Sequence, residues 1–175
     1  IVKNDSKYMI VDLDVASFYP NLAIKNGFKP AHLGDTFGKR YEWLFQERRR
    51  IPKANVLNLV YKLILNIIYG KSKDVNSYLL DALYTMQTCV GGELSLLMLV
   101  EMLSIGLTEI EFIQANTDGI TVKILREEYE KMDSIAKEWQ EITKLELEYA
   151  YYDAMYIVNV NNYIGEYAWQ EVKEE

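Results

Sequence analysis

Two rhythms of apolar residues alternate along this chain, and the points where one gives way to the other mark its elements. Residues 7–14 have strand character, with Val11, Leu13 and Val15 on one face and Asp12 and Asp14 on the other. A polar turn follows, and a short helix opens near Pro20, which a first helical turn tolerates. After a loop over 27–34, Tyr41, Leu44 and Phe45 recur at helical spacing in a helix that starts near Asp35 or Lys39 and ends near Pro52. The spacing predicts a stronger helix over 54–69, with Gly70 just beyond its end. A long, mostly buried helix over 81–104 is closed by Gly106. Two apolar runs, 108–115 and 120–125, flank Asp118-Gly119, a strong short-range hairpin signal. An acid-rich helix over 127–143 places Tyr129, Met132, Ile135, Ala136, Trp139 and Ile142 on one face, and strands follow at 145–151, 155–160 and 163–167. This order predicts an α+β fold, an antiparallel sheet backed by helices, with the stretch from 40 to 70 as a helical projection.

Half of the 175 residues are hydrophobic, enough to bury a real core in one domain with an appended lobe. The most apolar stretch, 94–107, is interrupted by Glu101, Ser104 and Gly106 and is too short and broken to span a bilayer. The opening Ile1-Val2-Lys3-Asn4-Asp5 has no apolar run of the signal-peptide kind. A single cysteine, Cys89, excludes an internal disulfide framework, reads as a small buried residue and fits a reducing, cytoplasmic setting. The chain begins with isoleucine, so a piece of something longer is expected.

A net charge of −7 speaks against a nucleic-acid partner until its distribution is considered. Between Lys39 and Lys73 lie nine basic residues (Lys39, Arg40, Arg48, Arg49, Arg50, Lys53, Lys62, Lys71, Lys73) and two acidic ones (Glu42, Glu47), while acids crowd the segment after Arg126. On the helix over 54–69, Lys62, Asn66 and Tyr69 fall in one narrow sector at 100° per residue. An ordinary amphipathic helix would turn such a stripe to water, but this one contains no acid and suits a phosphate and a stacked base. Asp14 stands where a strand breaks into Ser17-Phe18-Tyr19-Pro20 and a helix start, whose free N–H groups suit a triphosphate. Asp118 stands at a hairpin tip, where Asp-Gly is also a common structural turn. Two strand-end aspartates and a lysine-bearing helix are the components of a two-metal nucleotidyl-transfer site, because hard divalent ions roughly 3.5–4 Å apart need carboxylate oxygens. His32, the only histidine, sits in a Pro-Ala-His-Leu-Gly loop and is expected to be structural or exposed.

Together these residues resemble the family B DNA polymerases, especially the phage-type members. Asp14-x-x-Ser17-Phe18-Tyr19-Pro20 is similar to the family's motif A, Lys62-x-x-x-Asn66-x-x-Tyr69-Gly70 to motif B, and Asn116-Thr117-Asp118-Gly119 to motif C, in the family's order. Asn162-Tyr163 resembles the weaker lysine-x-tyrosine motif. The resemblance implies a palm at 1–38 and 74–175 and a short fingers segment at 39–73. It implies metal ligation by Asp14, Asp118 and the Val15 carbonyl, with two Mg2+ ions for which Mn2+ can substitute. It further implies nucleotide contacts from Ser17, Phe18, Tyr19, one of the three arginines Arg48, Arg49 and Arg50, Lys62, Asn66 and Tyr69, with Tyr19 excluding a ribose 2′-hydroxyl and Lys62 serving the leaving pyrophosphate. Tyr69, Gly70, Thr117, Asn162 and Tyr163 would meet primer-template DNA, and dNTPs and the family's exonuclease and thumb regions would be partners in a phage host's cytoplasm. The sequence departs from the pattern at Asn116, where many members carry an acid, at Ile67 in place of serine, and at Asn161-Asn162 in place of lysine. The alternative, of another class, is a non-catalytic polymerase-like module that binds DNA or a protein.

Overall fold

The central strand of the sheet is β2 (Tyr8–Val15), and its position explains why its residues are buried on both faces. Asp5 starts it: the carboxylate accepts from the backbone N–H groups of Lys7 and Tyr8 at 2.8 and 2.7 Å, turning the chain out of a short strand, β1 (Val2–Lys3), that the sequence pattern did not announce. In this computed structural model, which describes residues 1–168, the chain continues as α1 (Phe18–Asn26), a single 3-10 turn (Ala31–Leu33), α2 (Gly34–Arg50), α3 (Val56–Lys71) and α4 (Ala82–Gly106). It returns to the sheet as β3 (Ile110–Ala115) and β4 (Gly119–Leu125), crosses α5 (Tyr129–Thr143) and ends in β5 (Leu147–Asn159) and β6 (Asn162–Tyr167). The fold is α+β, as expected, with a six-stranded antiparallel sheet in the order β1-β5-β2-β4-β3 and β6 paired to β5.

The chain divides into two compact units, one of residues 1–16 and 95–175, the other of residues 17–94, with α4 passing from one into the other after Leu94. These bounds fall elsewhere than 38/39 and 73/74, and residues 169–175 of the expected last segment lie outside the described ones. In the sheet unit, Val11, Leu13, Val122, Ile120 and Ile124 are almost wholly buried, together with Leu99 and Leu103 of α4 and Met132, Ala136 and Trp139 of α5. Trp139 also donates from its indole Nε1 to the Ser95 carbonyl at 2.8 Å, so its burial leaves no polar group unpaired. Ile142, expected on that same face, is exposed. In the helical unit the core is Ala23, Tyr41, Phe45, Leu65 and Tyr84, and the Tyr41 hydroxyl donates to the Leu65 carbonyl at 2.9 Å.

Four expectations are corrected. The two strands at 145–151 and 155–160 are one continuous strand, β5, whose register slips between Tyr152 and Ala154; the extra residue, Asp153, broke the alternation and mimicked a turn. Gly70 lies inside α3, which ends one residue later because the Ser72 hydroxyl donates to the Tyr69 carbonyl at 2.6 Å and no left-handed cap is needed. The 94–107 stretch, expected to be too short and broken to span a bilayer, falls largely within α4, whose 25 residues, with Glu93 and Glu101 as the only charges, are long and apolar enough to cross a membrane by length and composition. Core helices of globular domains pass the same test, but the expectation of a mostly buried helix does not hold: Leu96, Leu99 and Leu103 are buried, while Leu83, Met86, Leu94, Leu97 and Ile105 are exposed. Cys89 is half-buried, its thiol donating to Glu93 at 3.4 Å, and His32 is exposed with Nε2 2.7 Å from the Tyr78 carbonyl oxygen.

Trp139 is the largest fully buried side chain of the sheet unit. Trp139→Ala is expected to destabilise the chain by about 3–5 kcal/mol through the lost contact and the cavity left behind, as measured by urea denaturation.

Candidate active site

Asp14 occupies the last position of β2 on the face it shares with Asp12, directly opposite Gly119, the first residue of β4. The hairpin tip is locked to the strand end by two backbone bonds: Val15 N–H donates to the Asp118 carbonyl at 2.7 Å, and Asn116 N–H donates to the Gly119 carbonyl at 2.8 Å. Gly119 admits the Asp14 carboxylate, since a Cβ there would fall on Asp14 Oδ1 and lie 2.7 Å from the Leu13 carbonyl oxygen. The two aspartates are 104 positions apart in sequence, and the β2–β4 register makes them neighbours. Asp14 is half-buried and Asp118 exposed at the tip, beside exposed Thr117.

Asp12, on the same face of β2 as Asp14, is buried. The reason lies far along the chain: Asp12 pairs with Thr121 on one side and Ala150 on the other, in mid-sheet. Thr121 Oγ1 donates to Asp12 Oδ1 at 2.5 Å, and Gln114 continues the same row across β3. Burial raises the Asp12 carboxyl, against the lowering effect of the Thr121 hydroxyl, and the charge of Asp118 raises it further. Tyr163 stands near this row. Its phenol is raised by burial first and then by the charges of Asp12 and Asp14. Glu148, opposite Asp14 on β5, is a fourth acid within electrostatic reach. Gln114 is buried beside Tyr163 and Asn116 Oδ1 is buried, and by strict geometry neither the Gln114 amide atoms nor Asn116 Oδ1 has a hydrogen-bond partner among the described residues. Asn162 is exposed at the β5–β6 turn.

A second group of the expected residues comes together in the helical unit. Ser17 adopts a left-handed backbone, φ 49° and ψ 51°, as the N-cap of α1, a conformation that costs a non-glycine residue of order 1 kcal/mol and clusters at functional sites. Its Oγ accepts from Arg48 Nη1 at 2.8 Å. Tyr19 stacks on Tyr69, ring centroids 4.0 Å apart at 15°, and Phe18 packs beneath it against Gly92, where a side chain would clash with the Phe18 ring. Burial pushes the Tyr69 phenol up, and Cys89 and Tyr19 add to the effect. Lys73 Nζ lies 5.6 Å from the Tyr69 ring centroid. Lys62 and Asn66 are exposed on α3, as is Gly70. Of the three arginines, Arg48 is half-buried and meets Ser17, whereas Arg49 and Arg50 are exposed and Arg50 pairs with Glu47 at 2.5 Å.

Among the described residues no three His, Cys, Asp or Glu side chains are grouped to hold a metal ion. The donors at the strand ends are two carboxylates with backbone oxygens beside them, and the neighbouring charges that raise Asp14 are those of Asp12, Asp118 and Glu148. An all-oxygen, carboxylate-poor set of this kind fits a hard divalent ion that takes its remaining ligands from water and phosphate.

No family model matches the chain, and no curated protein matches it. Among solved structures it is similar to the family B DNA polymerase from the hyperthermophilic archaeon Pyrobaculum calidifontis, with a TM-score of 0.65 and 17% identity. The match covers 94% of this chain and 27% of that polymerase, so the chain spans about a quarter of the other's length. The fold is therefore family B polymerase-like.

Burial, followed by the charges of Asp12, Asp118 and Glu148, pushes Asp14 up to about 6. An unfolded aspartate titrates near about 3.9, so between these values the folded chain holds a proton that the unfolded chain has released. Stability therefore falls as pH rises from about 4 to about 6, and the loss persists above that window. In metal-free buffer, Asp14→Asn is expected to become more stable than the parent chain across this window, by roughly 1–3 kcal/mol at pH 7. Urea denaturation of both proteins at a series of pH values checks it, and a difference that stays flat with pH would contradict the crowding of Asp14.

Proposed function

We propose that this chain is the catalytic core of a template-directed DNA polymerase of the phage-like type, transferring a dNTP to a primer 3′-hydroxyl. The observation that carries the reading is the seating of the Asp14 carboxylate against Gly119 beside Asp118, at the joined ends of β2 and the β3–β4 hairpin, in a fold similar to family B polymerases. A module that only bound DNA or a protein would gain nothing from carboxylates that repel one another.

In this reading Asp14, Asp118 and the Val15 carbonyl would hold two Mg2+ ions, or Mn2+ in their place, and such ions when bound would supply acidification of the primer hydroxyl and charge neutralisation for the pyrophosphate. The bond formed joins the primer 3′-oxygen to the α-phosphorus, and the bond broken joins that phosphorus to the bridging oxygen of pyrophosphate. Lys62 donates a proton or charge to the leaving group from the acid-free stripe of α3. Arg48, rather than Arg49, binds the triphosphate, since Arg48 is the one set on Ser17. The first backbone N–H groups of α1, at Phe18 and Tyr19, face the same anion, because a helix start leaves them without intrahelical partners. Tyr19, held flat against Tyr69, blocks a 2′-hydroxyl, and Asn66 orients the nucleotide. Thr117, Tyr69, Gly70, Asn162 and Tyr163 contact primer-template DNA. Exonuclease and thumb regions complete the enzyme, and a phage host's cytoplasm is its setting.

Asp14→Asn and Asp118→Asn are each expected to abolish metal-dependent primer extension while leaving the far-ultraviolet circular dichroism unchanged, because each removes an anionic ligand. Extension at the parental rate by a folded Asp118→Asn protein would sink the reading.

Tyr19→Ala is expected to raise kcat/KM for ribonucleotides relative to deoxynucleotides, with little loss of deoxynucleotide use. The ratio of the two kcat/KM values measures it, and an unchanged ratio removes Tyr19 from sugar selection.

A further inference from the structure

The facing surfaces of α2 and α3 carry a polar contact at one end of an otherwise apolar seam. At the apolar end Tyr41 reaches Leu65. Seven residues on from Tyr41, and seven before Leu65, the same faces bring together Arg48 and Asn58. Asn58 is buried, 8% exposed, on a helix whose apolar residues other than Leu65 are mostly exposed.

Every polar atom of that side chain is used. Nδ2 donates to the Ile51 carbonyl at 2.7 Å and to the Arg48 carbonyl at 3.2 Å, closing the C-terminal end of α2. Oδ1 accepts from Arg48 Nε at 3.3 Å. The pattern fixes which way the amide points, since two carbonyls lie on one side and an N–H on the other. Asn58 therefore holds both the backbone and the guanidinium of Arg48, whose Nη1 then meets Ser17 Oγ.

We propose that Asn58 is a positioning residue that presets the Arg48 guanidinium beside Ser17, at the start of α1, for the triphosphate of an incoming nucleotide; this rests on the nucleotidyl-transfer reading above. A guanidinium on a free side chain must lose rotamer freedom to make a paired contact with a phosphate, and one already clamped at Nε does not. Neither aspartate nor leucine substitutes for the amide: aspartate has no donors for the two carbonyls, and leucine leaves them and Nε unpaired in a buried place.

The test is a double-mutant cycle in the 175-residue chain. Asn58→Ala is expected to raise KM for dNTP about tenfold with kcat nearly unchanged, because a preset charge binds ground state and transition state alike. Arg48→Ala is expected to do the same or more, and the double variant to be no worse than Arg48→Ala alone. Asn58→Ser, which keeps a hydroxyl for Nε or one carbonyl, is expected to fall between parent and Asn58→Ala, and it carries the test should Asn58→Ala not fold. A residue that merely held the helices together would lower the thermal midpoint and the active fraction, leave KM alone, and give losses that multiply with those of Arg48→Ala. That outcome overturns the proposal. The same cycle is run on calorimetric binding of inorganic triphosphate, which needs no turnover. A non-additive binding cycle without primer extension strikes the polymerase reading and leaves Asn58 in its place; multiplying losses in binding strike Asn58; no binding by the parent chain strikes both.

Discussion

Setting two carboxylates at the ends of adjacent strands is electrostatically unfavourable, and the architecture of the sheet unit follows from having to maintain it. Burial and the charges of Asp12, Asp118 and Glu148 all act against ionised Asp14. A flexible loop would relieve that repulsion by swinging the side chains apart. Here Asp14 stands on a strand paired on both sides, with β4 and with β5, and the hairpin that carries Asp118 is bonded back to Val15. The opposite face of the same strands is packed solid: Val11, Leu13, Ile120 and Val122 have no more than 1% of their surface exposed. Rigidity of the apolar face is what allows the polar face to hold like charges together.

Glycine and threonine make the crowding sterically and chemically possible. Gly119 supplies the space for the Asp14 carboxylate, a requirement that no residue with a Cβ meets. Thr121 gives Asp12 one short hydrogen bond in place of water, so that a buried acid in mid-sheet is not left without a donor. The helical unit solves the opposite problem, that of holding a cation still. Arg48 is gripped at its backbone and at Nε by Asn58 and delivers Nη1 to Ser17, while Arg49 and Arg50 stay exposed.

The parts of this arrangement that local pattern specifies were legible in the sequence. Period-2 alternation gave β2, the Asp-Gly pair gave the β3–β4 hairpin, and helical spacing gave α2, α3, α4 and α5 within a few residues. Asp14 and Asp118 stood out because each ends an apolar run. Asp12 did not, because its burial comes from pairing with β5 across more than 130 residues, and no local pattern carries that. The bulge at Asp153 hid the continuity of β5 for the converse reason, a local break that the pairing overrides. The choice among the three arginines was in fact readable: Tyr41, Phe45 and Arg48 follow the i, i+4, i+7 spacing of one face, so Arg48 continues the buried stripe and its neighbours do not. Asn58 bears the same relation to Leu65 and was passed over because polar residues on a helix are ordinarily assigned to water.

That last point bears on how α3 should be understood. An ordinary amphipathic helix buries its apolar stripe and exposes its polar one. On α3 only Asn58 and Leu65 are buried, while Val56, Leu57, Leu59, Leu63 and Ile67 are each more than half exposed. Apolar burial between α3 and α2 is thus confined to Leu65 and Ile68 against Tyr41, Phe45 and Leu44, and a few directed contacts accompany it: Tyr41 to the Leu65 carbonyl, and Asn58 to Arg48 and Ile51. Directed hydrogen bonds fix rotation and register where apolar contact alone would tolerate sliding. For a helix whose exposed Lys62 and Asn66 lie in a single narrow sector, a small rotation would carry both out of place together. The buried asparagine thus governs two things at once, the aim of Arg48 and the facing of the stripe that α3 presents.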